Sequence, residues 1–134
     1  MYGSPNAEHS PYRISSKCIE KNDSLGKLIE FPLLTTKFLG KKIPAAGGFY
    51  LRSLPTKVIK NAIKNYEKEC IPATFYIHSW ELTPEFMPRL DLPLKDKFVT
   101  YHNLGKAYSR MSELLKHFEF TSFGRYIAEN EMMI

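Results

Sequence analysis

Residues 74–81, TFYIHSWE, set His78 and Glu81 three positions apart around Trp80, the only tryptophan of the chain, with Tyr76 two positions before the histidine. A histidine gives or takes a proton near neutral pH, and a carboxylate within reach can orient its ring. An indole offers an apolar wall against which the face of a sugar ring packs. Together these types allow a candidate site but do not name a reaction. Each residue also has a plainer reading: His78 as a core histidine satisfied by backbone, Trp80 as core packing, Glu81 as a cap where the chain leaves a strand. A metal site built from His78, Glu81 and His102 has no support, because the sequence holds neither HExxH nor HxxxH. Phosphate-loop and serine-hydrolase motifs (GxGxxG, GxxxxGK[ST], GxSxG) are absent too.

The elements that must carry these groups are legible to different degrees. Residues 73–78 are β-branched and aromatic and apolar on both alternating faces, which predicts a central strand covered on both sides. His78 then stands at its carboxyl end, where ligand-handling residues gather in parallel α/β sheets. Val58, Ile59, Ala62, Ile63 and Tyr66 form one stripe of an amphipathic helix running from Pro55 to about Glu69, stopped by Cys70-Ile71-Pro72. Lys57, Lys60, Lys64 and Lys68 fall on its outer face with Glu67 and Glu69 nearby, so the net charge of +5 reads as a solvated face and not as a nucleic-acid surface.

A second helix is predicted from Gly105 or Lys106 to His117, and strands around residues 28–31 and 118–123. The proline-punctuated residues 82–98 read as a long loop over one end of the sheet, and Gly47 and Gly48 as a tight turn or a close backbone approach. Strand and helix alternate, which predicts an α/β layer structure with parallel crossovers. The expected division is an irregular lead-in over 1–24, an α/β domain over 25–127 and a tail over 128–134.

At 134 residues the chain has the size of one domain. Hydrophobic residues at 43% give it enough apolar surface to order, which argues against disorder. No run reaches the roughly 18 apolar residues of a membrane span, and the first residues lack a signal pattern, so a cytoplasmic location is expected. Cys18 and Cys70 are too few for a disulfide framework and read as reduced thiols.

The ordered set LIEFP, IPAAGGFYLRSLP, ATFYIHSWELTPE, PRL and LLKHFEFTSF resembles the C-terminal part of bacterial polysaccharide deacetylases, in the branch associated with exopolysaccharide loci. The most specific piece, FYIHSWE, is similar to FYLHPWE of that branch, and Met1-Tyr2-Gly3-Ser4-Pro5 fits its LYG-like start faintly. The resemblance implies the C-terminal βα units of a NodB-type deacetylase, a partial (β/α) barrel. In the complete fold a divalent metal, zinc or similar, held by one Asp and two His, activates water against an N-acetyl carbonyl. It implies that His78 is the general acid on the departing amine and that Tyr76 stands where the family often has a leucine lining the acetyl pocket. Trp80, Glu81 and Arg89 become substrate-binding residues for a polysaccharide or N-acetylated sugar.

Ser79 departs from the family's proline after the histidine, which loosens the turn that aims His78. The family's early motifs, an Asp-bearing strand and an HxxxH, are missing from this sequence. The expectation is therefore a chain that holds no metal or other cofactor of its own and does not hydrolyse alone, partnered by the missing N-terminal half or by a second copy. The alternative expectation is a non-catalytic carbohydrate-binding or interaction module.

Overall fold

The computed structural model describes residues 6–130. The segment 1–5 with its LYG-like start and residues 131–134 of the expected tail lie outside the described residues. The architecture is mixed α/β, with short antiparallel strands and six α-helices among the described residues. No closed barrel forms among them.

The lead-in, read as irregular, supplies strand β1 (Tyr12–Arg13), which pairs antiparallel with β2 (Ile29–Glu30) where strand character was expected. Next, β3 (Thr35–Phe38) and β4 (Lys41–Pro44) form a hairpin, with Thr35 opposite Pro44 and Phe38 opposite Lys41. Its two-residue turn places Leu39 at φ 49° and Gly40 at φ 75°. Two positive φ values are the mark of a type I′ turn, whose twist matches that of the strands. Leucine is poorly suited to this backbone, and Leu39 is 88% exposed, so no packing compensates. Leu39→Asn is expected to stabilise the chain by about 0.5–1 kcal/mol, read as a higher urea midpoint at unchanged slope.

Helix α1 (Gly48–Ser53) leads into α2 (Thr56–Lys68), whose bounds agree with the predicted helix. Ile59, Ala62, Ile63 and Tyr66 are buried on one side. They join Leu34, Ala45, Ala46 and Leu51 in the core, and Leu114 closes it from α5 (Ala107–His117), the second predicted helix. The Tyr66 hydroxyl fastens α2 to β3 by accepting the Thr35 N–H at 3.2 Å. Beyond α2, Cys70 takes φ 56°, Cys70 N–H reaches the Glu67 carbonyl at 3.1 Å and Ile71 N–H the Tyr66 carbonyl at 2.9 Å. This is a Schellman stop with cysteine in the place glycine usually takes.

The predicted central strand is an extended segment held by two isolated parallel bridges, Leu33 with Thr74 and Gly47 with Tyr76. Leu34 N–H donates to the Thr74 carbonyl at 3.1 Å and Tyr76 N–H to the Ala46 carbonyl at 3.0 Å. The main-chain groups of Phe75 and Ile77 alternate to the other edge, and they have no backbone partner among the described residues. Apolar grooves of about 590 Å³ and 580 Å³ flank this segment, with Phe31, Thr74, Phe75 and Phe123 lining both.

Two further expectations on secondary structure are corrected. Residues 118–122 form no strand, and among the described residues none pairs with them in a ladder. Instead, Ser122 Oγ accepts the Arg125 N–H at 3.2 Å and starts α6 (Phe123–Glu129), whose Phe123 ring packs 4.5 Å from Phe31. The predicted loop over 82–98 contains a 3₁₀ turn (Pro84–Phe86) and the start of α4 (Leu94–Tyr101). No α4 residue is buried, and the helix starts directly after Pro93 in a proline-punctuated run, which masks the short Leu94, Phe98, Tyr101 spacing in the sequence.

Candidate functional site

His78 stands at the N-cap of a single helical turn, α3 (Ser79–Leu82). Three residues on, Glu81 folds back: its Oε2 accepts the His78 main-chain N–H at 3.1 Å and lies 3.3 Å from ring Nδ1. This back-bond is the glutamate arm of a capping box, and it explains why a carboxylate follows the histidine at that spacing. The other oxygen, Oε1, meets Arg52 Nη2 at 2.9 Å and Nε at 3.0 Å. Arg52 and Glu81 are 1% and 2% exposed, a buried ion pair within reach of the surface ring.

A buried guanidinium is tolerated only when its N–H groups are matched. Here Nε also reaches the Gly48 carbonyl at 3.2 Å, Nη1 the carbonyls of Thr100 at 3.3 Å and His102 at 2.5 Å, and Nη2 that of Val99 at 3.2 Å. Arg52 thus ties α1, α3 and the end of α4 together. Gly48 makes room for it: a Cβ at that position would fall on the Glu81 carboxylate. This is the close approach anticipated for the glycine pair.

The ring of His78 is half-exposed. Its Nε2 lies 3.0 Å from the Tyr76 hydroxyl, and the Tyr76 ring meets it edge-on with centroids 4.8 Å apart. On the other side the Trp80 ring stacks at 5.2 Å and 24°. Tyr76 is 54% exposed, so the phenol that covers Nε2 can move away without opening the core.

Four of the predicted site residues therefore converge: Tyr76, His78, Trp80 and Glu81. Glu81 faces inward, in the orienting and capping positions. Arg89 is not brought to this group; its guanidinium lies 4.7 Å over the Tyr101 ring, and the Tyr101 hydroxyl is fixed by the Leu90 N–H at 2.9 Å and the Pro88 carbonyl at 3.0 Å. The His102 ring is engaged elsewhere, with Nε2 2.9 Å from Asn103 Nδ2 and its face near Phe98. Among the described residues no group of three or more His, Cys, Asp or Glu side chains could hold a metal ion. Sequence reading missed Arg52. The available signal was an arginine inside the apolar run FYLRSL, a charge that must find a partner if the helix is buried.

No curated protein and no solved structure matches the chain. A family model described as a domain of unknown function (DUF3473) matches residues 1–128, and the chain belongs to that family.

Proposed function

We propose that this member of the family is the C-terminal part of a polysaccharide deacetylase-like protein, and that it contributes the proton donor for hydrolysis of N-acetyl groups on a sugar polymer. The observation that carries the reading is the His78 ring itself. It is open to solvent, flanked by Tyr76 and Trp80, with Nδ1 backed by a buried, ion-paired carboxylate. In this reading Nε2 gives its proton to the amide nitrogen as the C–N bond breaks, leaving a neutral ring whose Nδ1–H points at Glu81. Trp80 walls the sugar. Tyr76, resting on Nε2, yields to the substrate nitrogen.

A divalent metal would polarise the acetyl carbonyl and supply the attacking water. Among the described residues no group of side chains fits such an ion, so its ligands are assigned to another segment, and no step here runs through it. The edge at Phe75 and Ile77, which has no backbone partner among the described residues, and the apolar grooves beside it support a partial barrel completed by an N-terminal half or by a second copy. No helix among the described residues is long and apolar enough to cross a membrane.

The reading is tested at two levels. Supplied with zinc or cobalt and N-acetylglucosamine oligomers, the chain alone is expected to release no acetate; metal-dependent release would overturn the division of the site. In-frame or neighbouring DNA upstream is expected to encode the Asp strand and HxxxH. Separately, Tyr76→Phe removes the hydroxyl that covers Nε2. It is expected to speed modification of His78 by diethyl pyrocarbonate several-fold, followed by mass spectrometry, and an unchanged rate would mean that the phenol does not cover that nitrogen.

The exposed Tyr76 ring, with the partly buried Trp80 stacked on the other side of His78, also favours a second reading, a glycan-binding module without catalysis. The two readings part at Trp80→Ala: a pure binding module loses glycan affinity, whereas binding that survives the change counts against it.

A further inference from the structure

The geometry points to Arg52 as a positioning residue for His78, acting through Glu81; the inference rests on the reading of His78 as a proton donor. The Oε2 atom of Glu81 is shared between the His78 main-chain N–H and ring Nδ1. Which way that oxygen faces is fixed by its twin, Oε1, held by two nitrogens of one guanidinium. A carboxylate paired in this way only accepts, so the ring nitrogen facing it carries the proton. Nε2 is thereby left as the nitrogen that exchanges protons on the open side, next to Tyr76.

Arg52 holds this arrangement by its rigid fork. Its Nε–H is shared between Glu81 and the Gly48 carbonyl, and its Nη1 and Nη2 groups reach the carbonyls of Val99, Thr100 and His102, so the guanidinium cannot turn without releasing both α1 and the end of α4. Helix α4 buries none of its own side chains. The same guanidinium that aims Glu81 is thus a main tie holding α4 to the body of the fold, and a displacement of α4 reaches the His78 ring through two side chains.

The test is the tautomer of His78, read from ring ¹⁵N shifts of the 134-residue chain at a pH where the ring is neutral. The Nδ1–H form is expected to dominate in the unmodified chain, and to become the minor form in Glu81→Gln and in Arg52→Lys, which keeps the charge and loses the fork. Adding Arg52→Lys to Glu81→Gln is expected to change the ratio no further, because the arginine acts only through the carboxylate. A dominant Nε2–H form in the unmodified chain, an unchanged tautomer in Arg52→Lys, or a further shift in the double variant would each overturn the inference. Should Arg52→Lys fail to fold, the unmodified chain still decides it: the Arg52 Nε–H resonance must move as His78 titrates, and a resonance that stays fixed defeats the coupling. These readouts need neither substrate nor metal, so a chain that passes them and yet proves no part of a deacetylase would separate the failure of the functional reading from that of the positioning role.

Discussion

Arg52→Ala is expected to lower the unfolding free energy by about 3–5 kcal/mol, a large share of the roughly 5–15 kcal/mol that holds an ordinary domain together. The loss follows from what remains. Glu81, 2% exposed, keeps a charge with no counter-ion, and the carbonyls of Gly48, Val99, Thr100 and His102 lose their shared donor. Burying a charge or a carbonyl without a partner is far costlier than the net worth of the interaction removed. The same reasoning predicts that Arg52→Met combined with Glu81→Leu is less damaging than Arg52→Ala alone, because neither partner is then left charged. Urea unfolding of the two variants checks the order. A double variant less stable than the single one would show that the carbonyl contacts of Arg52, and not its pairing with Glu81, dominate.

Gly48→Ala is expected to approach the same loss, about 3–5 kcal/mol, although it adds only one methyl. The added Cβ would fall on the Glu81 carboxylate, whose two oxygens are engaged by Arg52 and by His78. Either the carboxylate leaves Arg52, with the penalty of a broken buried pair, or α1 shifts and strains the packing of Leu51. The two cases are separable. If the clash with the carboxylate is the cause, Glu81→Ala should make Gly48→Ala nearly silent, so that the double variant is no less stable than Glu81→Ala by itself. Additive losses would place the damage in the helix packing instead.

How much of this could be read beforehand varies with the kind of signal. Helix α2 was legible because Ile59, Ala62, Ile63 and Tyr66 recur at helical spacing and all are buried. Helix α5 was legible for the same reason, through Ala107 and Leu114. Alternation misled at 118–123, where FEFTSF has the period of a strand but no neighbour to pair with, and Ser122 caps a helix instead. The hairpin of β3 and β4 went unread, since Leu39-Gly40 is not a sequence that favours its own turn. At the site, His78, Trp80 and Glu81 were legible from their types and their place at an expected strand end, and Tyr76 from the family resemblance, while the capping relation of Glu81 to His78 is short-range. Arg52 and Gly48 lie 29 and 33 positions from Glu81, a contact that no window along the chain can reveal. Arg89 was included for its place in the PRL piece and turns out to face Tyr101.

The central claim, that His78 supplies the proton on which amide cleavage depends, has one decisive measurement. The chain, joined to a segment carrying the Asp strand and HxxxH and loaded with metal, is assayed for acetate release from N-acetylglucosamine oligomers before and after His78→Gln. The account predicts that kcat falls by about 10²–10⁴-fold while KM changes little, as for loss of a general acid. A kcat that survives the substitution would contradict it.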